Sequence, residues 1–455
     1  MIINKTIFFL LPNGITVRNF LNTGIIDELI SRKNIRLVIF TSSPLAFEKH
    51  NNERVIIKSF IKRRKISLSG LLNIILRRRF YKVNQTVSNK ILSKGPLFPE
   101  NHSKILEYLL SQPFPKSKAI YNLLRSVDKK IKGFSSKVLK VFKEFEPSLV
   151  ISTHPISMDE YEFLSCSNKL DIKTIGIIKS WDNLTTKGYI PVKLDHYLAW
   201  NEIIKNELIK IHHVQESQIS VTGIPQFDLY FDKANIIKRD KFFKKMNLDP
   251  NNKTIFFATS PSSIGPEDPD IIFEKMKFLK NNKIKNIQVI ARLHPLDNIE
   301  RYKKLKDSNF SNLTFQIPGK NSKSKVSGII NPEFITELRD TLFYSDVTIN
   351  TCSTTSLDAV AMDKPVINIA FDLKPRKYYR SCRRYYDFAH FQPILNSGAT
   401  KLASNFDEYI NLIFRYLEKS DLEKKQRKNL REIMCYKVDG QSSLRIANAF
   451  IQQLK

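Results

Sequence analysis

The chain has 455 residues, of which 42% are hydrophobic, and its formal net charge at pH 7 is +30. Its length exceeds what one ordinary core organises and indicates two domains of roughly 200 residues each. No apolar run approaches the roughly 18 residues of a membrane span, and the four cysteines lack C-x-x-C spacing and nearby histidines, so neither a disulfide framework nor a zinc site is indicated.

The first 41 residues predict a β-α-β unit of a parallel sheet. Strands are expected at 6–11 and 36–41, a loop at 12–19 and a helix at 20–31. Gly14 permits a tight turn in the loop, whereas Arg18 and Asn19 are expected at the carboxyl edge of the sheet, where they contact a ligand or cap the helix. The pattern of residues 1–10 is that of a buried strand and not of a signal peptide, so we expect an intracellular, cytoplasmic protein.

The strongest basic segment follows this unit. The first 150 residues carry +19 of the net charge, and residues 54–99 contain no acidic side chain. Within 54–94, basic clusters at 62–65 and 77–79 flank an apolar stretch at 66–76. Such a segment suits an anionic membrane surface or an acidic substrate, and otherwise forms a solvated face. Nucleic acid is not expected as a partner, because no helix-turn-helix, zinc-finger, RRM or KH signature accompanies the charge.

A polar loop in the middle of the chain is a candidate binding element. A long helix is predicted at 117–144, followed by strands at 147–152 and 174–178. The second strand leads into residues 179–188, which include Trp181 and Lys187, and loops at the carboxyl ends of strands commonly carry binding residues. Asp182 in this loop either acts as a general base toward a sugar hydroxyl or caps the following turn.

The first half is expected to close at residues 219–228. Gly223, directly after a strand, indicates that the backbone approaches a partner closely. The charged segment 231–252 lacks strand character and indicates a linker. We therefore predict an N-terminal Rossmann-like domain over 1–235, with the basic segment as an insertion, and a C-terminal Rossmann-like domain over 236–455 that ends in helices.

The second half repeats the alternation of strands and helices. Strands are predicted at 253–260, 287–292 and 313–317, and helices at 270–281, 335–343 and from 407 onward. The first strand ends in Ser260, and the second in Arg292, Leu293, His294 and Pro295. Because ligands bind outside the carboxyl ends of parallel strands, these side chains are candidates for a common crevice. His294 can also serve as a structural hydrogen-bonding residue.

Residues 345–370 predict a further β-α-β unit with a hydroxyl-rich turn. Ser353, Thr354, Thr355 and Ser356 bring hydroxyls and free backbone N–H groups to a helix N-terminus, which favours an anion such as a phosphate. Asp358, further into the helix, can accept a hydrogen bond from a ribose hydroxyl. The alternative is an N-cap cluster with nothing bound.

The sequence resembles the GT-B glycosyltransferase superfamily in three features. It has two α/β halves, the first half ends in the motif Val-Thr-Gly-x-Pro-x-x-Asp, and the second half contains the turn Ser-Thr-Thr-Ser-Leu-Asp before x-Lys-Pro-Val-Ile. That superfamily includes UDP-N-acetylglucosamine 2-epimerases and CDP-glycerol glycerophosphotransferases. The element Arg292-Leu-His-Pro295 is similar to the His-Pro motif of sialyl-, Kdo- and CDP-glycerol transferases. The resemblance implies an α/β fold of two doubly wound domains facing across a cleft, with the donor on the C-terminal half and the acceptor on the N-terminal half.

The resemblance also implies roles for residues. It assigns the donor's phosphates to Arg292, His294, Ser353, Thr354, Thr355 and Ser356, and a ribose hydroxyl to Asp358. By their positions near strand ends, we add Gly223 and Ser260 to donor binding, Gly14, Arg18, Asn19, Trp181 and Lys187 to the acceptor side, and Asp182 as the catalytic residue. The Asp/Glu-Asp/Glu-Gly motif of sialyltransferases is absent, so Asp182 is assigned by position alone. We expect no cofactor beyond a nucleotide-sugar cosubstrate and no obligatory metal, since no Asp-x-Asp closes a strand.

The function expected from these features is transfer of a sugar from a nucleotide-activated donor to a saccharide or lipid-linked acceptor in envelope polysaccharide or glycolipid synthesis. Its alternatives are transfer of a polyol phosphate from CDP, a UDP-sugar 2-epimerase, and a binding protein with a decayed site or an acidic polymer ligand. The basic segment adds the expectation of peripheral attachment to the anionic inner face of the cell membrane.

Overall fold

The structure is a computed structural model that describes residues 5–32, 34–61, 68–84, 86–94, 117–131, 133–319, 331, 333–437 and 439–454. The chain forms two compact units, the first made of Met1–Pro225 with Gln441–Lys455 and the second of Gln226–Gly440. The division therefore lies ten residues before the predicted one, and the end of the chain returns to the first unit. The predicted linker contains helices of the second unit instead of an open connection.

The first unit is built on a parallel sheet. Its strands are β1 (Lys5–Leu11), β2 (Ile35–Thr41), β3 (Val55–Ser59), β4 (Leu149–Ser152), β5 (Lys173–Ile177), β6 (His196–Ala199) and β7 (Ile219–Val221), in the order β3-β2-β1-β4-β5-β6-β7. The central strands are buried along almost their whole length, as parallel strands covered on both faces require. Phe8 packs edge-on against Phe40 and Phe142, with ring centroids 4.9 and 5.0 Å apart.

The helices of this part of the chain are α1 (Gly14–Leu21), α2 (Ile25–Ile30), α3 (Leu68–Val83), α4 (Val87–Lys94), α5 (Lys118–Ile131), α6 (Ser136–Phe145), α7 (Tyr161–Lys169), α8 (Asn183–Thr186) and α9 (Glu202–His212). The helix predicted at 117–144 is thus two helices, because Ser135 accepts a hydrogen bond from Val138 N at 3.4 Å and starts α6. β3 was not predicted, although its Val-Ile-Ile sequence is typical of a strand.

The predicted loop at 12–19 is wrong, since α1 begins directly after β1. Asn13 Oδ1 accepts from Thr16 N at 3.2 Å and Asn13 N donates to Thr16 Oγ1 at 3.3 Å, a capping box. Gly14 is therefore the first helical residue and not a tight turn. The left-handed backbone belongs to Gly24, with φ of 73°, which separates α1 from α2.

The second unit is built on another parallel sheet. Its strands are β8 (Lys253–Ala258), β9 (Ile287–Arg292), β10 (Leu313–Gln316), β11 (Val347–Asn350), β12 (Val366–Ile369) and β13 (Lys401–Ala403), in the order β10-β9-β8-β11-β12-β13. The helices are α10 (Asp228–Phe231), α11 (Arg239–Met246), α12 (Asp268–Asn281), α13 (Lys303–Asp307), α14 (Glu333–Tyr344), α15 (Thr355–Ala361), α16 (Gln392–Asn396), α17 (Phe406–Glu418) and α18 (Lys424–Cys435).

The final helix, α19 (Ser442–Gln453), belongs to the first unit. Its Phe450 is fully buried and lies 6.1 Å from the ring of Phe9 in β1. β1 and α19, which are distant in sequence, thus share one core.

In each sheet the chain reverses its direction of winding at one pair of neighbours, β1 with β4 in the first unit and β8 with β11 in the second. Such switch points open a crevice at the carboxyl ends of the strands, where ligands of doubly wound folds bind.

The described part of the basic segment packs into the first unit. Leu76 and Phe80 of α3 are buried in a cluster with Tyr121 and Tyr189, and Arg79 is fully buried. This half of the predicted apolar stretch therefore faces the protein. The basic cluster at 62–65 lies outside the described residues. Among the described helices, none is long and apolar enough to cross a bilayer.

Candidate active site

Ser260 and Thr351 join the two strand ends at the switch point of the second unit. Ser260 Oγ donates to the Thr351 carbonyl at 2.7 Å. The carboxylate of Asp268, at the start of α12, accepts from Ser260 N at 2.7 Å and from Thr351 Oγ1 at 2.8 Å. Burial raises the pKa of Asp268 to about 7. The hydroxyl of Ser260, a predicted donor-binding group, is thus used to hold this edge together.

The hydroxyl-rich turn after β11 is held by its own polar groups. Three of its amides have partners within the unit: Cys352 N with Tyr386 Oη at 2.8 Å, Ser353 N with Asn350 Oδ1 at 2.9 Å and Thr355 N with Ser353 Oγ at 3.2 Å. The prediction of free backbone N–H groups is therefore wrong for these amides. Thr354 is exposed, and Ser353 and Thr355 are half-buried. The turn offers a bound anion its hydroxyls more than its backbone.

Ser356 and Asp358, also predicted to bind the donor, are buried and bonded inside the unit. Ser356 Oγ accepts from Asn350 Nδ2 at 3.0 Å and donates to Asn368 Oδ1 at 2.8 Å. Asp358 Oδ1 accepts from Tyr230 Oη at 2.8 Å. These side chains hold α15 in place.

Arg292 and His294 take different directions at the end of β9. The Arg292 guanidinium is buried and donates to Gln316 Oε1 at 2.6 Å and to the Phe334 carbonyl at 2.8 Å, on the side of β10 and α14. His294 is next to β8, where its backbone N donates to Thr259 Oγ1 at 3.0 Å. β8 is the strand between β9 and β11, so His294 and the hydroxyl turn are two strand spacings apart, roughly 10 Å.

The hydrogen bonds of His294 fix its tautomer. Leu296 N donates to His294 Nδ1 at 3.1 Å, so the proton of the neutral ring is on Nε2. Burial lowers the pKa of His294, and the charge of Asp297 opposes that shift only in part. The imidazole is therefore a neutral donor through Nε2 at physiological pH.

Sequence reasoning missed the arginine-rich segment after β12. Tyr386 is fully buried, accepts from Cys352 N and donates to the Ile369 carbonyl at 2.8 Å, which fastens this segment to the hydroxyl turn. Glu267 accepts from Arg376 Nη2 at 2.9 Å. Exposed cations of the same segment include Lys374, Lys377 and Arg380. The run Lys-Pro-Arg-Lys-Tyr-Tyr-Arg directly after a buried strand was the available signal.

In the first unit, Asp182 stands at the carboxyl end of β5, just before α8. Its carboxylate accepts from Thr186 Oγ1 at 3.2 Å and forms an ion pair with Lys187 Nζ at 3.2 Å. It occupies the N-cap position of α8 and bonds the side chain of Thr186 instead of the helix amides. Asp182 is partly exposed, whereas the neighbouring Trp181 is buried. Trp181 is therefore part of the core beneath the loop.

Arg18 and Asn19 belong to α1, beside the switch point of the first unit. Arg18 Nε and Nη2 donate to Asn19 Oδ1 at 3.1 and 3.0 Å, and Asn19 is buried. The charge of Arg18 acts on Lys179, whose pKa is lowered mainly by burial. Arg18, Lys179 and the Asp182 loop thus lie at one edge of the sheet, as predicted from their positions after β1 and β5.

His154 and Glu160 complete this edge, and sequence reasoning left both out. Glu160 is fully buried, and its carboxylate accepts hydrogen bonds from the Ser152 and Thr153 hydroxyls at the end of β4. Burial raises the pKa of Glu160 to about 8. Burial, together with the charge of Lys179, lowers the pKa of His154 to about 3. The available signal was the Thr-His-Pro triplet after β4, which parallels the Leu-His-Pro triplet after β9.

Gly223 has a structural reason to be glycine. Its φ is 79°, and a Cβ there would lie 2.5 Å from Ser442 Oγ. Arg445 Nε donates to the carbonyl of the preceding Thr222 at 2.9 Å. The close partner predicted for Gly223 is thus the start of α19, within the first unit.

Comparison with known proteins identifies the family of this chain. The sequence matches the CDP-Glycerol:Poly(glycerophosphate) glycerophosphotransferase family over residues 173–452, more than half of the chain. The chain belongs to this family. No curated protein matches it in sequence.

Solved structures share the fold at low identity. A putative UDP-N-acetylglucosamine 2-epimerase from Listeria monocytogenes has a TM-score of 0.58 and 11% identity, with 100% of this chain and 97% of that chain covered. A UDP-GlcNAc 2-epimerase from Neisseria meningitidis bound to UDP-GlcNAc has a TM-score of 0.55 and 13% identity, with 98% and 100% covered. The wall teichoic acid polymerase TagF with CDPG has a TM-score of 0.51 and 13% identity, with 99% and 88% covered.

These matches confirm the predicted GT-B-like fold of two α/β domains and the predicted relatives. The glycerophosphotransferase family makes the protein an enzyme that moves a sugar or a polyol phosphate from a nucleotide-activated donor in the synthesis of an envelope polymer. The predicted sugar transfer and its polyol-phosphate alternative are both compatible with this assignment.

Proposed function

We propose that the protein transfers a polyol phosphate from a CDP-activated donor to a hydroxyl of an envelope polymer, releasing CMP. The observation that carries this proposal is the family match over residues 173–452, which reaches from β5 to α19 and so includes both the Asp182 loop and the hydroxyl turn. Among the functions expected from the sequence, it favours the polyol-phosphate alternative over sugar transfer.

In the proposed reaction, the acceptor oxygen forms a bond to the phosphorus that carries the polyol. The bond from that phosphorus to the bridging oxygen of the diphosphate breaks, and the electron pair leaves with CMP. Asp182 takes the proton of the acceptor hydroxyl, since its carboxylate is partly exposed at a strand end in a loop that Lys187 and Thr186 hold. Arg18 and Lys187 supply positive charge for an acceptor that carries phosphates.

Donor binding is assigned to the second unit. His294 is a neutral N–H donor at Nε2, and Ser353, Thr354 and Thr355 present hydroxyls two strand spacings away. The exposed cations of the segment after β12 neutralise the diphosphate. Preorganised donors of this kind stabilise the charge that develops on a leaving phosphate.

We further propose that no divalent metal is obligatory. The groups assigned to the phosphates are hydroxyls, an imidazole and side-chain cations, which offset the leaving-group charge without an ion. Activity that persists in excess EDTA is expected. Loss of activity in EDTA with recovery on Mn²⁺ or Mg²⁺ would reject this part of the proposal.

Peripheral attachment to an anionic membrane is proposed on the basis of charge. Each Lys or Arg near such a surface contributes about 1 kcal/mol, and the effect is screened by salt. Since Leu76 and Phe80 pack inward, the described part of the basic segment supports electrostatic docking and not insertion of that helix. We expect flotation with vesicles rich in anionic lipid at low salt and release at high salt. Absence of binding at low salt would leave the segment as an acceptor-binding or solvated surface.

The decisive experiment is nucleotide release from a panel of donors. The purified protein is incubated with CDP-glycerol, CDP-ribitol, and UDP-, GDP- and CMP-activated sugars, each with and without a glycerol phosphate oligomer. The proposal predicts acceptor-stimulated CMP release from a CDP-polyol and growth of the oligomer by one polyol phosphate in its mass spectrum. Transfer from a nucleotide sugar alone would establish sugar transfer in its place.

A further inference from the structure

Three buried polar atoms around Asp182 have no hydrogen-bond partner among the described residues: His154 Nδ1, Asn183 Oδ1 and Glu207 Oε2. A buried polar atom left without a partner costs about 1–3 kcal/mol, and native proteins keep few of them. Three such atoms near one carboxylate therefore indicate a site whose hydrogen bonds a ligand would complete.

The three side chains lie on separate elements that the fold brings to Asp182. Asn183 follows it in sequence and donates through Nδ2 to Asp182 Oδ1 at 3.2 Å. Glu207 is on α9, which His212 fixes to α8 through a 3.0 Å contact with the Leu184 carbonyl. The charge of Asp182 raises the pKa of both His154 and Glu207 relative to what burial and the other charges would give.

The arrangement is rigid. Glu160 beneath β4 accepts hydrogen bonds from the Ser152 and Thr153 hydroxyls and from the backbone N–H groups of Thr153 and His154. These contacts place His154 before any ligand arrives, which lowers the entropic cost of binding.

We infer that His154, Asn183 and Glu207 form, beside Asp182, a subsite for the hydroxyl-bearing polyol end of the acceptor. The inference rests on the proposed function and deepens it, because it assigns recognition of the uncharged part of the acceptor to side chains outside the phosphate-binding groups. A hydroxyl both donates and accepts, and so can satisfy an imidazole nitrogen, an amide oxygen and a carboxyl group in turn.

The charge state of the subsite agrees with a neutral ligand. Burial lowers the pKa of His154 to about 3, and burial with the nearby Asp182 raises the pKa of Glu207 to about 8. At neutral pH both groups are therefore uncharged, which suits vicinal hydroxyls and does not suit a phosphate. The phosphates of the acceptor would be left to Arg18, Lys179 and Lys187.

The test measures acceptor binding without donor. The chain has two tryptophans, so Trp200→Phe leaves Trp181, next to Asp182, as the only fluorescent indole. Titration of this protein with a synthetic glycerol phosphate trimer is expected to give a saturable fluorescence change. His154→Phe, Asn183→Leu and Glu207→Met should each weaken binding about tenfold, the loss expected for one hydrogen bond.

His196→Phe is the matched control. His196 is also a partly buried histidine of this unit, but it lies at the start of β6 with Nε2 2.8 Å from Ser220 Oγ. It should leave binding unchanged. If the three subsite variants keep trimer affinity within twofold and gain thermal stability, the three atoms serve only ordered water and the inference is wrong.

Further arms separate the possible failures. Trimer binding that Arg18→Met abolishes and the three subsite variants leave intact would show recognition of the anion alone and overturn the inference. Where an apolar variant does not fold, His154→Ala, Asn183→Ala and Glu207→Ala are measured for the same loss of affinity. Trimer binding that depends on the subsite without CMP release from CDP-glycerol would reject the proposed function alone, whereas CMP release with subsite-independent binding would reject the subsite alone.

Discussion

A substitution at His294 can remove the donor at Nε2 while keeping a polar atom at the position of Nδ1. Leu296 N occupies Nδ1, which leaves Nε2 as the donor assigned to the phosphate. Asparagine has a polar atom near the Nδ1 position and none at Nε2. We therefore expect His294→Asn to keep the local turn while removing the donor.

The expected result is a fall in kcat of about 100- to 1000-fold, the loss typical of one preorganised donor to a developing anion, with an unchanged melting temperature. Steady-state kinetics and thermal unfolding measure the two effects. Arg292→Met is the contrasting variant, since loss of its buried bonds to Gln316 and Phe334 should lower stability first. A His294→Asn protein with normal kcat would remove His294 from the donor site.

Lys275 gives a prediction for stability against pH. Its side chain is fully buried, its Nζ has no hydrogen-bond partner among the described residues, and burial lowers its pKa to about 7 from 10.5. The folded state thus binds this proton more weakly than the unfolded state, so the cost of the buried charge is fully present below pH 7 and shrinks as pH rises toward 10.5. Lys275→Met should stabilise by on the order of 2–4 kcal/mol at pH 6.

Chemical denaturation of both proteins at pH 6 and pH 10 measures this effect. The gain should be smaller at pH 10. Lys277→Met on the same helix is the control, because Lys277 is exposed and a neutral effect is expected. A gain from Lys275→Met that is equal at both pH values would mean that packing and not charge is responsible.

The sequence predicted which residues lie at the carboxyl ends of strands, but not the direction in which their side chains point. The positions of His294, Ser353 and Asp182 at carboxyl strand ends followed from hydrophobic runs and their polar ends. Arg292 has the same sequence signal as His294, yet it turns toward Gln316, because Arg292 is the last residue of β9 and His294 lies in the loop beyond it, where the alternation of a strand no longer sets side-chain direction. The interior roles of Ser356 and Asp358 depend on Asn368 and Tyr230, which are distant in sequence.

At the scale of elements, the docking of α19 depends on one glycine. Gly223 combines a φ of 79° with a Cβ position only 2.5 Å from Ser442 Oγ. Gly223→Ala should destabilise the protein by roughly 1–3 kcal/mol through backbone strain and displacement of the helix start. Donor affinity should stay unchanged, because the variant acts on the first unit.

Gly133→Ala is the matched control for that variant. No heavy atom lies within 4 Å of its Cβ position, and its φ is not positive. Thermal unfolding and a donor binding isotherm give the comparison. Weaker donor binding by Gly223→Ala at unchanged stability would restore the ligand contact that the sequence suggested.

Strands were more predictable than helix ends. Continuous β-branched and aromatic runs predicted β1, β2, β8 and β9 well. The start of α1 was missed because the neighbouring Gly14 was interpreted as a turn residue. Asn13 and Thr16 in fact cap the helix through mutual hydrogen bonds. Short edge strands such as β13 carry too few residues for a periodic signal.

At the scale of the molecule, both α/β units and their order were predictable from the repeat of strand and helix patterns. The sequence did not predict that α19 belongs to the first unit, because the pattern of a helix shows which of its faces is apolar and not which core that face packs against. Phe450 finds that core beside Phe9.

Removal of the residues after Gly440 should therefore unfold the first unit selectively. Hydrogen exchange is expected to accelerate in β1 and α2, which lie beside α19, while β8 and β11 stay protected. Truncation after Gln453, which keeps all of α19, is the control and should change neither. Uniform protection in the shorter protein would show that the first unit is stable without its last helix.

The return of the chain to its first core has a consequence for biosynthesis. A ribosome that has finished the first 225 residues must still translate more than two hundred before α19 exists. At elongation rates of about 5–20 residues per second this takes roughly 10 to 40 seconds. The second unit, continuous in sequence, can complete its fold during that interval. The nascent first unit, with the site of Phe450 still open beside β1, is the stage at which we expect chaperones to engage the chain.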